Sequence, residues 1–310
     1  MTDLIRPRAL RQGDHIAVLA ASSTATEERV SRAAEWLRGR GFRVSFAQNL
    51  FEKERSYLAG SDQRRLAEVN RLLRDDEIDA FFFSRGGYGA MRILDGVDWN
   101  ALRENPRPLV GYSDVTAIHQ AAARKAGIVG FHGPMLDFDL CDGLSERRER
   151  WLWSMLGGEA PHEWQFEREQ VVAPGRAEGT VFGGCLSITA SLIGTEFDFW
   201  IDEGVWFWED VGEPVYRIDR MLTHLGLSGR LARLRAVLIG ELKDCGGRDP
   251  RELDLLISEF FGDRGIPVLR DLPFGHHGDN LLTPIGVPVT IDTDRGTISF
   301  PEPATVEGVS

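Results

Sequence analysis

Residues 78–89 read IDAFFFSRGGYG, a short apolar run that passes directly into a loop rich in glycine. Residues 108–114, PLVGYSD, repeat this arrangement, because an apolar run again ends at small and polar residues. Short apolar runs bounded by turn residues are typical of strands buried on both faces of a sheet. Three further runs predict strands of the same kind: HIAVLAA (15–21), FRVSFA (42–47) and IVGFH (128–132).

Amphipathic stretches separate these strands and predict helices over about 26–39, 61–75 and 114–126. We expect the hydroxyl side chains of residues 22–24 to cap the first helix, and Ser61 or the next residue to cap the second. Regular alternation of strand and helix predicts a doubly wound parallel sheet with helices on both faces. In such a sheet, ligands bind at the carboxyl ends of the strands.

The chain is predicted to form two domains, because 310 residues exceed the usual size of one. Residues 1–155 carry the doubly wound sheet, 156–175 form a linker punctuated by prolines, and 176–310 form a second domain of less regular, mixed structure. Within the second domain the patterns predict strands over 205–211 and 235–242, helices over 216–226 and 250–261, and a hairpin over 287–300.

The composition narrows the class of protein. A hydrophobic share of 42% and a charged share of 27% are those of a globular protein. The net charge of −12 argues against binding to nucleic acids or anionic membranes, but a small anionic substrate needs only one or two arginines. We expect a cytoplasmic protein, because no run is long enough to span a membrane and the first residues lack a secretory signal. Cys141, Cys185 and Cys245 are odd in number and widely spaced, which favours reduced thiols over disulfides or a zinc site.

Ser113 stands where a predicted strand passes directly into a predicted helix. A serine on such a sharp turn exposes its hydroxyl, as at the nucleophile elbow of serine hydrolases, although the G-x-S-x-G pattern is absent. Ser113 and Asp114 also suit a simple helix cap, so the tetrapeptide alone leaves both interpretations open.

The loop at residues 85–89, RGGYG, follows the neighbouring predicted strand. Adjacent glycines let a backbone approach a ligand closely and direct N–H groups at it, as an oxyanion hole requires. The loop fits neither a phosphate-binding Walker motif nor G-x-G-x-x-G, and a tight turn is the simpler interpretation. Two such loops at one sheet edge favour a ligand site more than either does alone.

The second half supplies a carboxylate and a histidine. Glu209 ends the apolar run VWFWEDV and could orient a histidine, or simply lie at an exposed strand end. His276 and His277 lie in a glycine-flanked loop, PFGHHG, where a histidine could act as a general base; a metal site is the alternative, without a partner at ligand spacing. We assign structural roles to the remaining histidines, His15, His119, His132, His162 and His224.

Taken together, these segments resemble the LD-carboxypeptidase family of serine peptidases, which includes the microcin C immunity peptidases. The resemblance covers nearly the whole chain, in the order GDHIAVLAASS, RGGYGAMRIL, LVGYSDVTAIH, HGPM, GTEFDFW, WEDVGEPVYRIDRML and FGHHGDNLLTPIG. It implies a Rossmann-like N-terminal domain, a smaller mixed β/α C-terminal domain, a homodimer, and neither a metal nor another cofactor.

The resemblance also implies the roles of site residues. Ser113 matches the family's nucleophile, and Glu209 and His276 match the acid and base of its triad. The oxyanion hole is then formed by the backbone N–H groups of Gly87 and Asp114, with Gly86 as the competing choice. Cys185 departs from the family pattern, which has asparagine after the two glycines, and this puts a supporting or substrate contact in doubt.

The resemblance favours a carboxypeptidase that removes the terminal D-alanine of murein tetrapeptides. One alternative is hydrolysis of a processed aminoacyl-nucleotide antibiotic, for which tryptophans at 151–164 or 200–208 could stack on the base. A second is a peptide-binding module without activity. A carboxypeptidase must recognise a free carboxylate; the candidates are Arg85, Arg217 and Arg220, of which the last two also suit helix-surface salt bridges.

Overall fold

The computed structural model describes residues 3–247, 249 and 251–307. In the first half of the chain the elements are β1 (His15–Leu19), α1 (Glu27–Arg38), β2 (Arg43–Phe46), α2 (Asp62–Leu73), β3 (Ala80–Phe83), α3 (Trp99–Glu104), β4 (Leu109–Gly111), α4 (Thr116–Ala121) and β5 (Gly130–His132). In the second half they are α5 (Glu146–Leu156), β6 (His162–Gln165), β7 (Val171–Ala173), β8 (Arg176–Cys185), α6 (Leu186–Leu192), β9 (Val205–Val211), α7 (Val215–Leu227), β10 (Ala236–Lys243), α8 (Arg251–Phe261), β11 (Val268–Leu272), β12 (Thr283–Ile285), β13 (Pro288–Asp292) and β14 (Thr297–Phe300).

The first sheet has the order β2-β1-β3-β4-β5-β12, and its first five strands are parallel. The apolar run of β3 lies at its centre, and Phe81, Phe82 and Phe83 are buried on both faces. The chain order reverses between β1 and β3, and this is the switch point at which ligands bind in doubly wound sheets. The predicted doubly wound parallel sheet is confirmed.

The second sheet is mixed, with the order β6-β14-β13-β8-β9-β10-β11-β7. Its central strands β8, β9, β10 and β11 are parallel, whereas the outer strands pair antiparallel. The aromatic run of β9 is its core, because Trp206, Phe207 and Trp208 are completely buried. The predicted mixed β/α architecture of the second half is therefore confirmed.

Two features cross the predicted domain boundaries. β12 comes from the second half of the chain but pairs antiparallel with β5, so it completes the first sheet. Residues 156–175, predicted as a linker, contain β6 and β7, the two edge strands of the second sheet. The division of the chain at 155 and 175 stays a prediction. Among the described residues, no helix combines the length and the apolar character needed to cross a membrane.

Local details differ from the sequence predictions at the sheet edge. The helix predicted over 114–126 is three consecutive turns of different pitch: a tight turn at Ser113–Val115, then α4, then a wide turn at Ala122–Ala126. The prediction that residues 22–24 cap α1 is wrong, because the helix begins after Thr26 without a side-chain cap. Ser22 Oγ bonds instead to Asp114, beside Ser113, whereas the hydroxyl groups of residues 23 and 24 donate to backbone carbonyls of residues 52–58.

Candidate active site

Ser113 occupies a strained turn at the carboxyl end of β4. Its φ is +64°, a left-handed conformation that costs a residue other than glycine about 1–3 kcal/mol. The turn presents the side chain at the edge of the sheet, where it is half-buried. An ordinary helix cap has an extended backbone, so the conformation favours the elbow interpretation over the cap.

Gly86 packs directly against Ser113. A Cβ atom at position 86 would lie 2.8 Å from Ser113 Cβ, 2.9 Å from its Oγ and 3.3 Å from the backbone nitrogen of Asp114. Only a glycine fits this position without displacing its neighbours. The glycine loop and the serine turn, which follow neighbouring strands, are therefore in contact.

The side chain of Asp114 fastens this contact. Its Oδ2 accepts a hydrogen bond of 2.6 Å from Ser22 Oγ, after β1, and one of 2.8 Å from the backbone N–H of Ala90, after the glycine loop. Burial raises the pKa of the Asp114 carboxyl, although these two donors oppose the rise. Three strand ends are thus held together by one buried carboxyl group.

The backbone N–H groups of Gly86, Gly87, Ser113 and Asp114 at this junction have no hydrogen-bond partner among the described residues. The carbonyl of Gly86 accepts a bond of 3.3 Å from the N–H of Ser23. Because the two ends of a trans peptide point in opposite directions, the Gly87 N–H is turned away from Ser23. Gly87 has a φ of +104°, and a Cβ there would lie 2.8 Å from Ser23 Cβ, so this geometry also requires glycine. These N–H groups are available to a ligand.

A buried arginine that the sequence analysis missed supports the loop from behind. Arg65 of α2 is completely buried and donates to the carbonyl groups of Gly89, at 2.8 Å, and Ala21. It also pairs with Asp62. Burial lowers the pKa of its guanidinium, and Asp62 opposes that shift. Nothing in the local helical pattern distinguished this arginine from the surface arginines of α2.

Glu209 and His276 form the second half of the site. Glu209 ends the buried run of β9 and is completely buried, and His276 lies in the loop after β11. The Nδ1 atom of His276 lies 2.5 Å from Glu209 Oε2, and the backbone N–H of His276 donates to the same oxygen at 3.3 Å. Gly275 allows this approach: its φ is +83°, and a Cβ there would lie 2.5 Å from Glu209 Oε2.

The charges of this pair are coupled. Burial alone would raise the pKa of Glu209. The neighbouring His276 and His132 outweigh this effect and lower the pKa to about 2. Burial alone would lower the pKa of His276, but Glu209, with smaller contributions from Asp210 and Asp139, raises it above the usual value. The arrangement therefore favours a carboxylate at Glu209 and stabilises a protonated imidazole beside it.

The two halves meet at Tyr112, the residue before Ser113. Its ring packs edge-on against the ring of His276, with the centroids 5.0 Å apart. The end of β8 also reaches the serine turn, because the N–H of Cys185 donates to Thr116 Oγ1 at 3.0 Å. Among the hydrogen bonds of the described residues, none joins Ser113 Oγ to His276. The structure thus places the proposed nucleophile and base at one junction without a direct bond between them.

Cys185 stands where the family pattern has asparagine, and its side chain is buried rather than directed at the site's opening. Its Sγ lies 3.3 Å from Ser187 Oγ, and burial raises the pKa of the thiol well above the usual value. Asp210 accepts a hydrogen bond of 2.8 Å from the N–H of Ser187. Burial and the neighbouring Glu209 raise the pKa of Asp210 to about 6. The thiol therefore packs behind the acid of the pair.

The three candidate arginines lie in different surroundings. Arg85 is 28% exposed; its guanidinium lies 3.6 Å from Asp137 Oδ2 and over the exposed ring of Phe138. Arg217 and Arg220 lie on the exposed surface of α7. Arg217 pairs with Glu213 at 3.5 Å, and Arg220 lies over the ring of Tyr216. Arg85 alone belongs to the glycine loop.

Two more groups near His276 were missed by the sequence analysis. Asp139 accepts a bond of 2.8 Å from Arg148 and one of 3.0 Å from the N–H of Met135. Burial raises the pKa of the Asp139 carboxyl. Burial also raises the pKa of the Tyr112 phenol, and the nearby Asp139 raises it further. His132, given a structural role above, lies 3.5 Å from Glu209 Oε1. The only sequence signal for His132 was its place in the HGPM segment.

Four of the tryptophans proposed as a stacking platform, at 164, 200, 206 and 208, lie in the core or at a distant groove. Trp164, Trp206 and Trp208 are buried in the core, and Trp200 lines a groove of about 1050 Å³. That groove also contains Gly127, which precedes β5, so it lies at the opposite end of the parallel strands from Ser113. Within the described part of the chain, no three His, Cys, Asp or Glu side chains are grouped so that they could hold a metal ion.

Comparison with known families now gives this junction a context. Residues 16–133 match the LD-carboxypeptidase N-terminal domain, and residues 178–291 match the LD-carboxypeptidase C-terminal domain. The chain belongs to the LD-carboxypeptidase family. Both halves of the junction lie within the matched segments, because Ser113 falls in the first, and Glu209 and His276 fall in the second.

Relatives in the LD-carboxypeptidase family carry two kinds of name. A probable murein peptide carboxypeptidase of Bacillus subtilis is 32% identical, over 94% of this chain and 93% of its own length. The microcin C7 self-immunity protein of Escherichia coli is 27% identical, over 94% of each chain. The solved muramoyltetrapeptide carboxypeptidase of Oxalobacter formigenes is 26% identical and superposes with a TM-score of 0.82, over 95% of this chain and 100% of its own.

Proposed function

We propose that this protein is a serine carboxypeptidase that cleaves the L,D-peptide bond before the terminal D-alanine of murein tetrapeptides. The observation that carries the proposal is the junction itself. A strained serine turn, unpaired backbone N–H groups and a histidine bonded to a buried glutamate meet at the carboxyl edge of one sheet. These are the three components that acyl transfer through a serine requires.

In the proposed reaction, Ser113 Oγ attacks the carbonyl carbon of the scissile bond while His276 Nε2 accepts its proton. His276 then donates that proton to the leaving D-alanine nitrogen, and an acyl-enzyme remains on Ser113. Water repeats the sequence and releases the tripeptide. Glu209, bonded to Nδ1 at 2.5 Å, holds the imidazole in the required tautomer and stabilises its charged form.

The negative oxygen of each tetrahedral intermediate is assigned to the N–H groups of Gly87 and Asp114. Both are free among the described residues, and Gly86 between them packs on Ser113. Gly86 stays the competing choice for the first donor, because its N–H also has no partner among the described residues. Loss of one such donor typically costs about 3–4 kcal/mol of transition-state stabilisation.

We assign recognition of the free terminal carboxylate to Arg85. It lies in the glycine loop, one residue before Gly86, and its side chain is partly exposed at the edge of the site. Asp137 and Phe138 hold the guanidinium without covering it. Arg217 and Arg220 are engaged by neighbours on the surface of α7 and are weaker candidates.

The murein substrate is favoured by the names of the relatives from Bacillus subtilis and Oxalobacter formigenes. Release of D-alanine from murein fragments would place the enzyme in cell-wall recycling. The cytoplasmic location and the homodimer stay predictions.

A second candidate function is hydrolysis of an aminoacyl-nucleotide antibiotic, for which the microcin relative provides the analogy. One observation favours it. Tyr57 and Tyr88 are 39% and 48% exposed beside the glycine loop, and their rings pack edge-on at 5.7 Å. Exposed aromatic rings at that place could stack on a base, a role that the buried tryptophans cannot fill.

The test is to incubate the purified protein separately with murein tetrapeptide and with an aminoacyl-nucleotide substrate, and to follow the products by mass spectrometry. We expect D-alanine release in the first reaction, its loss in Ser113→Ala and His276→Ala, and a large but measurable fall in its rate in Glu209→Gln. Thermal unfolding of each variant shows whether it is folded. Turnover of the nucleotide alone would establish the second candidate, and binding without turnover would identify a peptide-binding module. Full activity of Ser113→Ala would overturn the triad.

A further inference from the structure

His132 is the last residue of β5, the strand beside the one that carries the serine turn. It pairs with Gly111, two residues before Ser113. Its imidazole is completely buried and faces Glu209 from the first sheet, whereas His276 faces the same carboxylate from the loop after β11. Glu209 is thus the meeting point of two histidines from different parts of the fold.

The two oxygens of Glu209 have different surroundings. Oε2 is bonded to His276, while Oε1 lies 3.5 Å from His132 Nε2, at the outer limit of an N–H···O hydrogen bond. Among the described residues, Glu209 Oε1 and both ring nitrogens of His132 are buried without a hydrogen-bond partner. A buried carboxylate oxygen and a buried ring nitrogen are both unfavourable without hydrogen-bond partners. A hydrogen bond between these two atoms would satisfy both of them.

The packing around His132 fixes the direction of its ring. Phe207 packs edge-on against the imidazole at 5.3 Å between centroids, and Tyr112 packs against it at 5.9 Å. A histidine needed only to fill space could be replaced by any apolar side chain of similar volume. A space-filling role does not explain why His132 Nε2 lies 3.5 Å from the charged Oε1 of Glu209.

We propose that His132 is a positioning residue that donates its Nε2 proton to Glu209 Oε1 and so fixes the carboxylate that orients His276. The inference rests on the proposed function of Glu209 as the acid of the triad. Without a donor on Oε1, only the contacts of Oε2 with His276 hold the carboxylate, so its rotation about the Cγ–Cδ bond is less restricted. His132 keeps its proton throughout, so it needs no proton exchange with the substrate.

The test compares His132→Phe, which keeps a ring but loses the donor, with His132→Gln, which keeps an N–H at nearly the same reach. Activity is measured on whichever substrate the wild-type enzyme turns over. We expect His132→Phe to lower kcat by about ten- to a hundredfold with KM nearly unchanged, the size of effect typical of a lost bond to a buried charge. His132→Gln restores most of that loss. If His132→Phe does not fold, His132→Asn, whose amide is too short to reach Oε1, takes its place with the same expectation.

A double-mutant cycle shows whether His132 acts through Glu209. In a Glu209→Gln background, His132→Phe is expected to cause little further loss, because the group it positions is already gone. An equal loss in both backgrounds would overturn the inference. A readout without substrate is the NMR resonance of the His276 Nδ1 proton, which we expect to shift in His132→Phe and to return in His132→Gln. An unchanged resonance in His132→Phe would also overturn it.

These outcomes separate the inference from the proposed function. Full activity of Glu209→Gln would remove the triad, whatever His132 does. A strongly impaired Glu209→Gln together with a fully active, folded His132→Phe would leave the triad intact and overturn only the role of His132.

Discussion

Gly86 is the position where the smallest change should disable the proposed chemistry. We predict that Gly86→Ala lowers kcat/KM strongly while the protein stays folded. The added Cβ would lie 2.8 Å from Ser113 Cβ and 2.9 Å from its Oγ. Carbon atoms pack favourably at about 3.5–4.0 Å, so one partner must move by about 0.7 Å. Gly86 itself has no left-handed φ, so alanine strains the contact and not its own backbone.

The displacement should fall on the reacting groups. Asp114 is held by Ser22 and Ala90, which resists withdrawal of the turn, so the backbone at Ser113 or in the glycine loop has to shift and the hydroxyl has to turn away. A misplacement of about 1 Å at a reacting group costs about a hundredfold in rate. We therefore expect kcat/KM to fall by about a hundredfold, or about 2.7 kcal/mol of transition-state stabilisation.

The assay is steady-state release of D-alanine, combined with thermal unfolding. Gly226→Ala is the matched control, because a Cβ at this exposed position of α7 would meet no atom closer than 4.0 Å. That variant should keep full activity. If Gly86→Ala retained more than a third of the wild-type kcat/KM, the glycine loop would not constrain the nucleophile in the way argued here.

Two further predictions concern the base and the substrate. Burial lowers the pKa of His276 but Glu209 raises it more, so the net value lies above the usual 6.5. Only the neutral ring accepts the Ser113 proton, so kcat/KM should fall as the pH drops through that raised pKa. In Glu209→Gln burial dominates, and the acid limb of the pH–rate profile should move to lower pH; an unmoved limb contradicts the coupling. Arg85→Gln should raise KM by about tenfold or more with little effect on kcat, as expected for a lost charge-assisted bond, whereas Arg217→Gln should leave both constants nearly unchanged. Similar effects of the two variants on KM would argue against Arg85.

The sequence predicts the first sheet well because its signal is local. The run at β3 has to be buried on both faces, and the helices between strands show their own periodicity. The position of β12 could not be predicted in this way. A strand of three residues, Thr283–Ile285, has no pattern that tells which sheet it joins, and its pairing with β5 depends on contacts far along the chain.

The same distinction applies to the site. Ser113 and the glycine loop follow apolar runs, so their place at the sheet edge can be predicted from the residues alone. The hydroxyl groups of residues 22–24 suggest a helix cap, yet Ser22 Oγ bonds to Asp114, 92 positions away. His132 is equally hidden, since a histidine in an apolar run usually belongs to the core. Groups that act through long-range contacts leave no local pattern.

The negative charges around His276 have opposite effects on the two charges that form in the proposed reaction. Glu209, Asp210 and Asp139 all raise the pKa of His276, so they favour the imidazolium that forms when Ser113 loses its proton. The same negative field opposes the oxyanion that forms in that step. In the proposed reaction, the oxyanion must therefore be stabilised by backbone N–H groups that are held rigidly and are not already bonded to a carboxylate.

Arg65 provides that rigidity and part of the compensating charge. Arg65 is buried behind the glycine loop, and its Nη1 donates to the Gly89 carbonyl at 2.8 Å. Its Nη2 pairs with Asp62. Placed behind the loop, the arginine acts on the oxyanion through the peptide dipoles in front of it. In the proposed reaction the two arginines therefore have separate tasks: Arg65 supports the glycine loop from the scaffold, and Arg85 binds the substrate's carboxylate at the edge of the site.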